Sequence, residues 1–258
     1  MVEKDWQNSS LSADIHDVLR EKEARLPNFM AASPQLNLRR FLVDWLAIVT
    51  EKIGSSHGVL HLAVYYMDFF MDKFIVQESQ LHLLALSCLL LAAKFEENED
   101  KIPTLSTLNK FANDVFKQTE FHQMELLLLD FFKWNVDLPT PVHFMEYYLS
   151  RALIDLDNQE KTVSDDMPRI GTYMRKYVHY FLEISLQDHT FLSFLPSLTT
   201  ASAIAATRIS LNLSPSWTTY LEKVTKYTWE KILPCTEIML RAHEADKKAQ
   251  QKSKNAKG

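Results

Sequence analysis

Apolar residues recur along the chain at spacings of three and four, the period of a helix buried on one face. Ile15, Val18 and Leu19 form one such stripe. It follows Ser12, a suitable N-cap, and Asp14, an acid where the helix dipole favours one. Pro27 and Pro34 bracket a connector. Phe41, Leu42, Trp45, Ile48 and Val49 make the face of a second helix that stops near Gly54, and Leu62, Tyr65, Tyr66, Phe69 and Phe70 that of a third, from about Gly58 to Phe74. The segment "QLHLLALSCLLLAAKF" is apolar on every side and belongs at the centre of a core. "FHQMELLLLDFF" predicts a fifth helix ending near Trp134. Pro139 and Pro141 in "DLPTP" then mark a linker, since proline breaks a helix interior. Beyond it, helices are predicted near 142–153, 167–186, 196–210 and 216–242, the last opened by Trp217 and kinked at Pro234.

The pattern repeats. "YMDFFMD" (66–72) matches "YVHYFLE" (177–183) in character, and "LAA" before Lys94 matches "IAA" before Thr207. Two copies of a helical unit of about 100 residues, an ordinary domain size, are expected.

Composition sharpens this all-α reading. The chain has 258 residues, 47% of them apolar, but only four glycines. Phosphate-cradling loops need glycines clustered so that backbone N–H groups can approach the ligand, so nucleotide binding by a P-loop or Rossmann turn is not expected. Cys88 and Cys235 lie far apart in apolar surroundings and read as reduced packing residues. The N-terminus has no signal-peptide pattern, and the apolar run Leu83–Ala93 is short of the ~20 residues a membrane helix needs. A soluble protein of the nucleus or cytoplasm, without membrane association, is expected. Net charge is −5. From Arg241 onward six basic residues face two acids, a surplus of +4 that leaves −9 on the body. An acidic body argues against a direct nucleic-acid groove. The tail "KKAQQKSKNAK" lacks apolar residues, so it is expected to be disordered and solubilising.

Candidate chemistry is sparse. His57 and His61 have i, i+4 spacing, but "HGVLH" lacks the glutamate of a zinc-protease helix; His179 and Glu183 have no third ligand nearby. No nucleophile motif appears, and neither a metal nor another cofactor is expected. In "LLLAAKFEENED" the apolar helix ends in Lys94 and Phe95. A lysine in the last turn is already favoured by the helix dipole, and its stem can lie along apolar surface. Alone, it settles nothing.

Together, however, the motifs resemble the cyclin family, in particular two-box cyclins of the A and B kind. "DIHDVLREKE" (14–23) resembles the helix that precedes the first cyclin box, and "LRRFLVDW" (38–45) the signature that opens it. "HLAVYYMDFF" (61–70), "LLLAAKFEE" (89–97) and "QMELLLLDFFKWNVDLPTP" (123–141) follow in the family's order and spacing. "LPSLTTASAIA" and "SWTTYLEKVTKYTWEKILPC" resemble the second box. The resemblance implies two tandem five-helix boxes, 36–138 and 139–243, after an N-terminal helix and connector (1–35), with a basic tail at 244–258.

It also implies a non-catalytic subunit that binds and activates a cyclin-dependent kinase as a heterodimer in cell-cycle control. The family's box residues fall on Arg39, Asp68, Leu83, Lys94 and Glu125. By resemblance, Arg39 and Asp68 pair inside the box while Lys94 and Glu125 face the kinase. Leu91, Phe95, Leu129 and Trp134 would add apolar contact, as would Ile15 and Val18 on the first helix. A groove for substrate or inhibitor docking peptides would fall on Leu38, Phe41, Leu42 and Trp45. Its usual flanking acid and glutamine are replaced by Ile48 and His82, which weakens the expectation of substrate docking. The alternative is a transcription-related adaptor of the same fold that binds other proteins or nucleic acid.

Overall fold

The computed structural model describes residues 11–159 and 167–255. The expectations that concern the chain before Leu11 and the end of the basic tail lie outside them. Eleven α-helices run in order among the described residues, and none of these residues is in a strand. The chain divides into two compact units, Glu21–Val142 and the combination of residues up to Arg20 with those from His143 onward.

The first unit holds α2 (Leu36–Ile53), α3 (His57–Lys73), α4 (Leu81–Glu96), α5 (Leu105–Lys110) and α6 (Gln118–Phe131). As its all-round apolar pattern requires, α4 is the core helix. Every residue from Leu83 to Ala93 is buried, and α3, α2, α5 and α6 all pack on it. With the short turn before it, α4 is long and apolar enough to cross a membrane, but 67% of that stretch is buried in the protein. Its hydrophobicity is therefore accounted for by its place in the core. Helix α3 is buried throughout from Val59 to Asp72. Helix α5, only six residues long, is too short to leave a periodic signal; it starts where Thr104 accepts a hydrogen bond from the Thr107 N–H.

Helix α2 corrects the sequence expectation. Its buried row is Arg39, Leu42, Val43, Leu46, Val49 and Thr50, while Phe41 and Ile48 are 60% and 50% exposed. The cause is Arg39. Paired with the buried Asp68, it turns a polar position inward and rotates Phe41 and Ile48 out. The helix ends at Gly54, whose φ of 72° lets its N–H cap the last turn, as the sequence predicts.

The second unit comprises α7 (Pro141–Gln159) from His143 onward, α8 (Met167–Gln187), α9 (Pro196–Ser210), α10 (Thr219–Thr225) and α11 (Trp229–Asn255). Most of α1 (Ser12–Glu23), up to Arg20, belongs with them. Helix α9 is the core element, buried from Thr199 to Arg208 and packed by α8 and α11. Its alanines, serines and threonines allow close approach. The single helix expected over 216–242 is broken. Lys226 takes a left-handed φ of 61° after α10, and Trp217 Nε1, ahead of α10, donates to the Tyr227 carbonyl within the break at 3.0 Å. Pro234 does lie inside α11. That helix continues to Asn255, so residues 244–255, expected to be disordered, are helical. Alanine, lysine and glutamine propagate a helix well once a packed segment has nucleated it.

Candidate functional site

Arg39 and Asp68 bind α2 to α3. The Arg39 Nε donates to Asp68 Oδ1 and its Nη2 to Oδ2, each at 2.7 Å, with both side chains almost completely buried. Leu83 is buried on α4. On the next turn of α3, Asp72 accepts from the Met30 and Ala32 N–H groups at 2.9 and 2.8 Å, fixing the connector. Burial alone would raise the Asp72 carboxyl, but these backbone donors and Lys73 hold it below its ordinary value.

Lys94, in the last turn of α4, donates through Nζ to Glu125 Oε1 on α6 at 2.5 Å. The lysine side chain is 44% exposed and the carboxylate 14%. Exposed pairs of this kind contribute only roughly 0.2–1 kcal/mol, so stability alone does not account for the arrangement. Phe95 is 45% exposed and Trp134 70%. Lys133 and Trp134 both adopt left-handed backbone, φ 50° and 62°, closing α6 with the Trp134 N–H on the Leu129 carbonyl and leaving the indole in solvent. Leu129 is half-buried, whereas Leu91 is part of the core and lies beneath the surface. Sequence reasoning overlooked Leu126 and Leu127, which are exposed next to Glu125. Their signal was available, because four successive leucines cannot all point to one face of a helix.

Helix α1 inverts the usual amphipathic logic. Ser12 and His16 are buried, while Leu11, Ile15 and Val18 are exposed and Leu19 is half-buried. The predicted Ser12 cap is replaced: its hydroxyl lies inside the first turn and accepts from Arg151 at 3.1 Å. His16 Nε2 meets the Tyr148 hydroxyl at 3.0 Å, and its ring stacks on Tyr147 at 4.8 Å. Arg20 donates to the Ser197 and Tyr227 hydroxyls and lies over the Tyr227 ring. Polar anchors thus hold the helix and leave its apolar stripe outward. Burial lowers the His16 pKa to about 4 despite the opposing hydrogen bond to Asp17.

Of the expected docking groove, Leu38 and Trp45 are half-buried and Phe41 exposed, but Leu42 is 1% exposed and belongs to the core. His82 packs edge-on against Phe41 and Trp45, at 6.3 and 4.7 Å. Its imidazole therefore occupies part of the apolar strip. Among the described residues, no group of three or more potential ligands could hold a metal. His61 is buried and His57 exposed, so that pair does not converge on one surface.

The described residues thus form two tandem helical units, the first carrying a lysine–glutamate clasp as well as a buried arginine–aspartate bridge. Residues 14–137 match the cyclin N-terminal domain and 139–257 the cyclin C-terminal domain, and the chain belongs to the cyclin family. It is 48% identical to Cyclin-J of Xenopus laevis, covering 97% of this chain and 66% of that protein, and 43% identical to Cyclin-J of Homo sapiens, covering 100% and 68%. The chain thus spans about two thirds of the length of these relatives. Among solved structures, the viral cyclin of herpesvirus saimiri superposes with a TM-score of 0.65 at 22% identity, covering 88% of this chain and 96% of that one. A chain of the CAK complex of Chaetomium thermophilum gives a TM-score of 0.57 at 16% identity, covering 92% and 72%. At such identities these two likenesses speak for the fold alone.

Proposed function

We propose that this chain is the regulatory subunit of a cyclin-dependent kinase and activates it allosterically in cell-cycle control. The observation that carries the reading is the Lys94–Glu125 clasp, partly exposed on a unit whose α4 and α6 also present Phe95, Leu126 and Leu127 to solvent. An ammonium offers only donors and a carboxylate only acceptors, so the pair can satisfy both polarities of a partner's exposed backbone. Trp134 supplies further apolar surface on the same unit.

The mechanism is a shift in population. In a kinase at rest, helix αC sits rotated away, so the β3 lysine cannot meet the αC glutamate. A subunit that binds only the inward state draws the equilibrium towards it by its difference in affinity. Moving from about 1:99 to about 99:1 takes about 5.5 kcal/mol, within reach of a standard interface with a buried apolar centre. ATP and the catalytic aspartate belong to the kinase. The test is co-purification of a kinase from extract with the wild-type chain and with Lys94→Ala/Glu125→Ala, followed by assay of the captured activity. A folded double variant that captures as much kinase as the wild type overturns the assignment.

A further inference from the structure

Helices α8 and α11 enclose a cleft of about 310 Å3 lined by Lys176, Tyr177, Tyr180, His243, Asp246 and Lys247. Small-ligand pockets run from about 300 to 1,000 Å3, so the volume suits a compact molecule. Its walls are fixed in advance. The Tyr180 hydroxyl gives its single proton to Asp246 Oδ2 at 2.8 Å. Its 3.0 Å contact with His243 Nδ1 then requires that nitrogen to be the donor, which sets the tautomer. His243 Nε2 is left as an unprotonated acceptor, buried without a partner. Burial, and then the nearby Lys247, hold the imidazole pKa below its ordinary value, so the ring is neutral at pH 7. The His243 ring stands edge-on to both tyrosines, at 5.2 Å from Tyr180 and 6.1 Å from Tyr177.

Charge at the cleft does not balance. The one acid of the lining, Asp246, accepts from Tyr180 and keeps its single negative charge, against two lysines. Lys176 and Lys247 are exposed and form no ion pair among the described residues. Flat walls therefore stand beside two ammonium groups and one carboxylate, a surplus of one positive charge on a molecule whose formal charge is −5. We propose that the α8–α11 cleft binds a flat aromatic anion of mononucleotide size, its ring against Tyr177 and Tyr180 and its phosphate between Lys176 and Lys247. Aromatic faces accept any planar base, and locked side chains lose little entropy on binding. The inference is independent of the kinase reading, since it uses none of the residues of that site.

The purified chain is titrated with AMP, inorganic phosphate and benzyltrimethylammonium, following the His243 ring resonances by NMR. AMP shifts those resonances saturably, inorganic phosphate binds at least tenfold more weakly, and benzyltrimethylammonium neither binds nor competes. Lys176→Ala/Lys247→Ala lowers AMP affinity at least tenfold with an unchanged far-ultraviolet circular dichroism spectrum. Four results would each overturn the proposal: no saturable AMP response, equal affinity for inorganic phosphate, preference for the cation, or undiminished AMP binding by the folded double variant.

Discussion

Arg39 meets Asp68 through two parallel hydrogen bonds of 2.7 Å, with 2% and 1% of the side chains exposed. Removing one partner strands a buried charge, which costs about 3–5 kcal/mol, whereas replacing both with apolar residues of similar size is often neutral. Arg39→Ala should therefore lower the stability of the first unit by about that much in urea denaturation. Arg39→Met/Asp68→Leu should recover most of the loss.

Lys94 and Glu125 should behave in the opposite way. Their pair is exposed, so Lys94→Ala or Glu125→Ala changes stability by no more than about 1 kcal/mol. If the clasp faces kinase backbone, each substitution weakens kinase binding by about 30-fold or more, the scale of an interface hot spot. The exchange Lys94→Glu/Glu125→Lys restores an ion pair but reverses its polarity. Binding should stay weak in the exchanged variant, as measured by surface plasmon resonance against the captured kinase. Wild-type affinity there would mean that the pair serves only to join α4 to α6.

The legibility of these features varied with their physical origin. Helix α4 was readable because a helix apolar on all sides has only one place to go. The inward faces of α2 and α1 are not legible from periodicity, which counts apolar residues, while Arg39, Ser12 and His16 are buried polar groups whose partners lie far along the chain. The break between α10 and α11 has no proline or glycine to announce it; the Trp217–Tyr227 contact marks it in the fold. Lys94 and Glu125 are 31 positions apart, and only family resemblance singled them out together. The exposure of Leu126 and Leu127 was readable from the leucine run but was overlooked.

His16 gives the second unit a pH dependence. Its pKa falls from 6.5 to about 4 on folding, with burial the main cause. Between those values the unfolded chain binds the extra proton, so stability rises with pH there. The contribution is complete above about pH 6.5 and is lost progressively as pH falls towards 4, to a total of about 3 kcal/mol. His16→Phe should flatten this part of the stability–pH curve. In wild type, the His16 ring should show a neutral imidazole NMR signature at pH 5.5, where exposed histidines are protonated.

Trp134 separates stability from binding. Its φ of 62° is strained for a residue with a Cβ, by about 1–2 kcal/mol, and 70% of its surface is exposed. Glycine adopts this backbone without penalty, and little packing is lost with so exposed an indole. Trp134→Gly should leave the unfolding midpoint unchanged or raise it slightly. If the indole enters a kinase pocket, the same substitution cuts affinity by about 30-fold, as aromatic anchors do. Adding kinase to the wild type should then shift Trp134 emission to shorter wavelength, a change absent from the variant. A variant that is more stable and still binds fully would remove Trp134 from the interface and leave its exposure as a by-product of how α6 ends.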